Sequence, residues 1–229
     1  MKKIGLVGGT GPESTLMYYK ELNTRIDQLT EGKAMPDLSI ESVDFRKAWS
    51  YVSNGENDKL ADYLSEKVSC LRSIGCEVIS LTAGTMHLVI NEIEKKTGVS
   101  LVSIPKAVAD EAGSKSYTKV GLLGTIFTME QDYMKKDLID AGIEVCIPNK
   151  EDRDLVAKRI FEELELGIVK DETLKEFQDL ISKMKDEQGI QAVILGCTEL
   201  PLLLNEKNSP LPILDSVGIH IRKLIELAV

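Results

Sequence analysis

Gly189-Ile190-Gln191-Ala192-Val193-Ile194-Leu195-Gly196-Cys197-Thr198-Glu199-Leu200 is the stretch on which the reading of this chain turns. Ala192 to Leu195 is a short apolar run bounded by polar and glycine positions, the mark of an interior parallel strand. A glycine ends it, and a thiol, a hydroxyl and a carboxylate follow at once. In open α/β sheets ligands sit outside the carboxyl ends of strands. A cysteine placed there is a candidate nucleophile or acid/base, because a thiol's pKa moves readily with its surroundings.

The pattern occurs twice. Gly75-Cys76-Glu77-Val78-Ile79-Ser80-Leu81-Thr82-Ala83 aligns with Gly189 to Cys197, and Lys3 to Gly9 aligns with Lys119 to Thr125 at a nearly equal offset. The halves therefore read as copies related by duplication, with Cys197 matched to Ala83. The expected fold is α/β: two similar lobes with parallel sheets, related by a pseudo-two-fold, with the active site in the cleft between them, since such clefts are favoured ligand sites. The expected boundaries are 1–100 plus 210–229 for the N-terminal lobe and 101–209 for the C-terminal lobe.

Working outward, strands are expected at Lys3–Gly8, Leu38–Asp44, Gly75–Leu81, Val99–Ile104, Lys119–Thr125, Ile143–Ile147 and Leu211–Asp215. Helices are expected from Glu13 to about Gln28 (on Leu16, Tyr19, Leu22 and Ile26), Asp58–Ile74, Leu88–Lys96, Pro105–Ala112, Met129–Ala141, Asp152–Glu165, Lys170–Gln188 and from Ser216, a candidate cap, to Leu227. The segment with Trp49, Tyr51, Asn54 and Gly55 reads as a loop. Gly8-Gly9-Thr10-Gly11-Pro12 is a glycine-rich turn between a strand and a helix start, a place where free backbone N–H groups receive an anion. It is neither a GxGxxG nor a P-loop, so a small carboxylate suits it as well as a dinucleotide.

Bulk properties bound the function. The chain has 229 residues, 43% apolar and 28% charged, with a net charge of -9, enough for two small cored lobes. The acidic balance argues against nucleic acid or an anionic membrane as main partner. No signal peptide or spanning stretch is read, so a cytoplasmic protein is expected. Four scattered cysteines (Cys70, Cys76, Cys146, Cys197) and two histidines (His87, His220) give no zinc pattern and no expected disulfide. Cys70, Cys76 and Cys146 read as core or surface residues, and His220 as structural.

Two like lobes suit a reaction at both faces of one carbon. Racemisation α to a carboxylate needs a base on one face and an acid on the other. The segments Gly5-Leu6-Val7-Gly8-Gly9-Thr10-Gly11-Pro12, Thr85-Met86-His87, Gly121-Leu122-Leu123-Gly124-Thr125 and Gly196-Cys197-Thr198-Glu199 resemble the aspartate/glutamate racemase family, which also holds hydantoin racemases, maleate isomerases and arylmalonate decarboxylases. The resemblance runs over essentially the whole chain. It implies Rossmann-like lobes, no cofactor, no metal and commonly a homodimer. Two-thiol members carry Cys-Asn-Thr-x-His in the first lobe; here those positions read Ala83-Gly84-Thr85-Met86-His87, so the first thiol is replaced by Ala83.

The expected reading is a cofactor-independent amino-acid racemase. Cys197 is the clear acid/base, with its pKa lowered by a helix N-terminus. Thr82, Thr85 or water serves the opposite face. Glu199 tunes the thiol or simply sits at a helix start. His87 orients a donor or caps and packs. Gly9, Thr10, Ala83, Gly84, Thr85, Thr125, Thr128 and Thr198 are expected around the substrate, the hydroxyls and amides stabilising charge on the carboxylate. Arg46 is the candidate arm for an acidic side chain. Glu165 stands where aspartate racemase-like members often have a lysine; if it reaches the substrate, a neutral or basic amino acid becomes possible. The alternatives are a one-thiol arylmalonate decarboxylase-like enzyme, which forms an enolate without a base, and a catalytically silent amino-acid-binding relative.

Overall fold

The computed structural model describes residues 1–229, which divide into two compact units, Met1–Ser103 with His220–Val229 and Ile104–Ile219. Each carries a four-stranded, all-parallel sheet. In the first unit β1 (Ile4–Gly8), β2 (Leu38–Ser42), β3 (Val78–Leu81) and β4 (Leu101–Val102) are ordered β2-β1-β3-β4. In the second, β5 (Lys119–Leu123), β6 (Glu144–Cys146), β7 (Ala192–Leu195) and β8 (Ile213–Asp215) are ordered β6-β5-β7-β8. The repeat in the sequence is thus a repeat of topology. The inner strands β1, β3 and β7 are buried at every position, which is why they read as unbroken apolar runs.

The second unit shows how the sheet is covered. Val193 and Leu195 of β7 point into one cluster, with Val156, Ile160, Phe177 and Ile181. Ala192 and Ile194 point into the other, with Val108, Ala112 and Leu138. Strand alternation sends successive side chains to opposite faces, and helices close both.

Matched glycines allow this packing in both units. A Cβ on Gly5 would lie 2.9 Å from Cys76 Cβ, and one on Gly121 would lie 2.8 Å from Ile190 Cδ1. Cys76 and Ile190 occupy matched places before β3 and β7, and Leu71 of α3 and Met184 of α9 come within 3.2 Å of the first and the second of these Cβ positions respectively, so the same close approach to the strand is built twice.

The helices are α1 (Pro12–Leu29), α2 (Phe45–Ser53), α3 (Asn57–Ser73), α4 (Ile90–Thr97), α5 (Ile104–Ser114), α6 (Ile126–Glu130), α7 (Lys136–Asp140), α8 (Lys150–Glu162), α9 (Asp171–Gln188), α10 (Leu200–Leu203) and α11 (Ser216–Ala228). Several expectations are corrected. The buried stripe of α1 is Ser14, Tyr18, Leu22 and Ile26; Leu16 and Tyr19 are 66% and 52% exposed because they lie off that i, i+4 row. The loop expected around Trp49 is α2, started by Asp44, whose carboxylate accepts from the N–H groups of Arg46 (2.9 Å) and Lys47 (3.2 Å). The strand expected over Val99–Ile104 shrinks to two residues, since Ile104-Pro105 already opens α5. The helix expected over Met129–Ala141 breaks at Gln131, where the backbone is extended (φ -76°, ψ 158°). Ser216 does not cap α11: its hydroxyl donates to Leu195 O (2.7 Å), and Asp215 accepts from Val217 N–H (3.2 Å).

The return to the first unit comes at His220, not at residue 210. Residues 210–219 stay with the second unit because β8 pairs with β7. His220 is fully buried and tied to three elements of the first unit: Tyr18 O–H donates to its Nδ1 (2.6 Å), its Nε2–H donates to Val102 O (3.0 Å), and Ser80 Oγ lies 2.9 Å from Nε2. Since a carbonyl can only accept, Nε2 carries the proton and Nδ1 the lone pair. Burial lowers its pKa to about 3, so it stays neutral, as the expected structural role requires. No helix is long and apolar enough to cross a membrane.

Candidate active site

In the second unit the site grows from the end of β7. Gly196 N–H donates to Leu123 O (2.8 Å), closing the ladder with β5. A Cβ at Gly196 would meet Thr128 Cγ2 at 2.9 Å and Leu123 O at 3.0 Å, so only glycine fits there. The chain then turns into α10, with Leu200 and Leu203 buried. Between strand and helix stand Cys197, Thr198 and Glu199, all half-buried.

The three side chains form one cluster. Cys197 Sγ–H donates to Glu199 Oε2 (2.7 Å), and Thr198 Oγ1–H donates to Glu199 Oε1 (2.6 Å). Glu199 therefore does more than sit at a helix start: both its oxygens are engaged by its two predecessors. Burial pushes the Cys197 thiol well above the ordinary thiol range; the negative charge of Glu199 and its acceptor oxygen push it further, and the more distant Glu165 adds to this. The Glu199 backbone N–H pulls the other way, and loses. The expected lowering by a helix N-terminus is therefore overturned. A four-residue helix offers at most a fraction of a charge, while a full carboxylate accepts from the thiol itself. Cys197 rests as a thiol.

Glu165 stands on a 3-10 turn, Leu164–Leu166, ended by Gly167 at φ 70°. Leu164 is buried in the cluster that holds Leu200 and Leu203 and against which Cys197 packs, so the turn lies beside α10. Burial and the charge of Glu199 both raise the Glu165 carboxyl.

Thr125 and Thr128 have other partners. Thr125 Oγ1 caps α6 by accepting from Thr128 N–H (3.2 Å), and the two hydroxyls are 3.1 Å apart. Thr128 is buried, and its hydroxyl reaches Tyr133 O–H at 2.9 Å. Tyr133 was not expected in this neighbourhood; the break at Gln131 brings it back.

In the first unit the matching place is the end of β3. Thr82 is buried, and its hydroxyl donates to Val7 O (3.3 Å) and lies 3.4 Å from Thr15 Oγ1. Thr15 Oγ1 in turn accepts from Gly9 N–H (2.9 Å), and Ser14 Oγ–H donates to Thr82 O (2.6 Å). Thr15 and Ser14 were missed; the signal for Thr15 was the glycine at position 8, where a Cβ would lie 2.6 Å from Thr15 Cγ2. Ala83, Gly84 and Thr85 are half-buried and open a 3-10 turn, Gly84–Val89. His87 is buried, caps the Ala83 carbonyl through Nδ1–H (3.0 Å), and is held neutral by burial, its pKa lowered to about 4. The capping and packing role is the one realised.

The glycine-rich turn belongs to the same unit. Gly9 (φ 81°) has no room for a Cβ, which would clash with Ser42 Oγ and Val43 O. Thr10 is 8% exposed and its Oγ1 is buried with no hydrogen-bond partner. A buried hydroxyl left unpaired is costly and points to a group it would bond. It stands at the start of the 18-residue α1, where no side chain caps the helix, an arrangement suited to a carboxylate. Arg46 is exposed on the first turn of α2, its backbone N–H held by Asp44. No group of three or more His, Cys, Asp or Glu side chains is arranged to hold a metal ion.

A model of the family described as Asp/Glu/Hydantoin racemase matches residues 7–224. A candidate Asp/Glu racemase from Yersinia pestis is 35% identical, with a TM-score of 0.94 covering 100% of this chain and 99% of that one. An aspartate racemase homologue from Pyrococcus horikoshii OT3 is 40% identical, with a TM-score of 0.90 over the same shares. A glutamate racemase from Actinobacillus pleuropneumoniae serotype 3 (strain JL03) is 29% identical over 131 residues, 57% of this chain and 47% of that protein, so the match spans about half of that relative's length.

Proposed function

The chain belongs to the Asp/Glu/Hydantoin racemase family, and from that premise we propose that it is a cofactor-independent amino-acid racemase that moves a proton at Cα through Cys197. The observation that carries the reading is the thiol–carboxylate pair at the end of β7, Cys197 Sγ–H to Glu199 Oε2 at 2.7 Å.

The pair can act in both senses. As an acid, the resting thiol delivers its proton to a carbanion at Cα and is left as thiolate. As a base, it first passes its proton to Glu199, giving a thiolate beside a carboxylic acid; the thiolate then takes the Cα proton. The second route begins uphill, because burial and Glu199 favour the thiol. The same bias makes the thiolate, once formed, a stronger base, which a weakly acidic α-proton demands. Within the first unit, Thr10 and the first-turn N–H groups of α1 are suited to a carboxylate and to charge developing on it. In the first unit the Thr82 hydroxyl is spent on Val7 O and Thr15, which leaves Thr85 as the hydroxyl there that the proposed reading can use.

The test is ¹H NMR in D2O with L- and D-amino acids. Loss of the Cα proton signal, abolished in Cys197→Ser, is the expected result; exchange that survives the substitution sinks the assignment. A second reading is supported by Ala83 and by the thiol's resting state. A lone protonated thiol suits an enolate formed by decarboxylation, as in an arylmalonate decarboxylase, and carbon dioxide release from an arylmalonate with no α-exchange of amino acids would select it.

A further inference from the structure

Within its own unit the charges that act on Cys197 are of one sign. Within its unit the carboxylates that act on the thiol are those of Glu199 and Glu165, and neither takes part in an ion pair. The cations closest in sequence to Glu165 are already committed. Arg159 donates through Nη1 to Glu163 Oε1 (2.6 Å) and through Nε and Nη2 to the two oxygens of Glu176 (2.8 and 2.7 Å). Lys170 Nζ donates to the same Glu163 Oε1 (3.0 Å), and Thr173 Oγ1 to Oε2 (2.5 Å).

Glu163 also fixes the turn that carries Glu165. Its side chain is buried under those three donors, and its carbonyl accepts from the N–H groups of Leu166 (3.0 Å) and Ile168 (2.9 Å). The turn is clamped on one side by this hub and on the other by Leu164, buried with Leu200 and Leu203. Glu165 is therefore held beside α10 with its carboxylate unneutralised. Leu166 on the same turn and Leu202 on α10 are exposed apolar side chains.

We propose that the site takes amino acids whose side chain ends in a cation, an ammonium or a guanidinium, and that Glu165 is the residue that selects them. The proposal rests on the racemase reading and names its substrate class. A second substrate carboxylate would add a third negative charge to two that lack cations. A cation satisfies Glu165 through a charge-assisted hydrogen bond. Selectivity comes as much from the repulsion of acidic side chains as from the attraction of basic ones.

The test has two arms. In the first, Cα exchange in D2O is followed for lysine, ornithine, arginine, alanine, aspartate and glutamate with the full-length protein. The cationic group is expected to exchange at least about tenfold faster at equal subsaturating concentration than the acidic pair. Glu165→Gln is expected to lower the lysine-to-alanine ratio by about tenfold, the worth of one hydrogen bond between charged groups, and Glu165→Lys to invert the preference. In the second arm, binding of L-lysine and L-aspartate is measured by calorimetry in Cys197→Ser, which cannot exchange. Tighter lysine binding, weakened by adding Glu165→Gln, upholds the substrate class even where no exchange is seen, and absence of exchange for every amino acid then counts against the racemase reading alone. Preference for aspartate in either arm, or a lysine-to-alanine ratio unmoved by Glu165→Gln, overturns the proposal.

Discussion

Glu199→Gln is the substitution that interrogates the thiol most directly. The side chain keeps its shape and loses its charge. In the native protein one oxygen accepts from the Cys197 thiol at 2.7 Å and the other from Thr198 Oγ1 at 2.6 Å. A glutamine has one oxygen to offer and an NH2 group that can donate, so the partner that favoured the thiol becomes one that favours the thiolate. A hydrogen bond to a charged group contributes about 1.5–3 kcal/mol. Glu199 is half-buried, so solvent screens its charge and the interaction stays well below an unscreened Coulomb energy. At 1.36 kcal/mol per tenfold, the thiolate population at a given pH below the thiol midpoint rises about ten- to a hundredfold. A thiolate of lower pKa is also a poorer nucleophile, by roughly half a logarithm for each tenfold gained. The net gain in alkylation rate is then about three- to tenfold.

The assay is alkylation by iodoacetamide across neutral and alkaline pH, followed peptide by peptide by mass spectrometry. Site resolution matters because Cys70 is exposed; it serves as the internal reference. Native Cys197 should react more slowly than Cys70 at neutral pH and gain speed only under alkaline conditions, as its raised pKa requires. In Glu199→Gln, Cys197 should accelerate while Cys70 does not. Native Cys197 alkylating faster than Cys70 at neutral pH, or a rate unmoved by the substitution, would refute the account of a thiol held protonated by burial and Glu199.

The matched glycines make a paired stability prediction. A Cβ on Gly5 meets Cys76 Cβ (2.9 Å) and Leu71 Cβ (3.2 Å), atoms fixed close to backbone, while one on Gly121 meets the side-chain tips Ile190 Cδ1 (2.8 Å) and Met184 Cε (3.2 Å). Overpacking costs about 1–3 kcal/mol, so Gly5→Ala should fall at the upper end and Gly121→Ala at the lower; urea unfolding with the opposite order would contradict this. The buried histidines predict an acid weakness. His220 and His87 have pKa values lowered by burial to about 3 and about 4, below the unfolded value. The unfolded chain therefore binds more protons from about pH 6.5 downward. Stability is full above that pH and falls with decreasing pH, by up to about 1.4 kcal/mol per pH unit for each histidine. Urea midpoints between pH 7 and 5 should drop accordingly; a slope of half that size would show that one of the rings is protonated in the fold, and a flat profile that both are.

How much of this could be read in the sequence depends on the range of the interaction. The inner strands and their duplication were legible because burial on both faces leaves continuous apolar runs and because Gly5 and Gly121, like Gly75 and Gly189, mark the same points twice. Cys197 was legible for the same reason: a strand end is defined locally. Helix α2 was not, since Trp49, Tyr51 and Gly55 masked the capping signal of Asp44 and the buried pair Ala48 and Val52. The hydroxyls misled in another way. A threonine that caps a helix and one that awaits a ligand look alike in sequence; only the partners, Thr128 N–H for Thr125 and Tyr133 for Thr128, separate them. The direction of the thiol's pKa was unreadable because it depends first on burial in the folded chain and then on the rotamer of Glu199. A residue two places along the chain can as easily point to solvent as accept from Cys197.

The two strand ends nevertheless explain each other. In both units a threonine from the following helix packs on the glycine that ends the first inner strand: Thr15 on Gly8 and Thr128 on Gly124. In the first unit that threonine meets a hydroxyl, Thr82, and the pair is consumed in bonds to Val7 O and Gly9 N–H. In the second it meets Gly196, which has no side chain, and the polar groups are displaced one and more residues onward, to Cys197, Thr198 and Glu199. The packing is thus repeated in the two units while the chemistry differs. One strand end became a closed hydrogen-bonded knot beside an alanine; the other became a thiol with a proton acceptor of its own. A hydroxyl whose proton is committed to a backbone carbonyl is a poor substitute for a second thiol, so the proposed racemase reading assigns the acid and base chemistry to Cys197 and Glu199. In that proposed reading Glu199 belongs with the thiol, because the carboxylate that accepts from Cys197 at 2.7 Å is the place where its proton can wait.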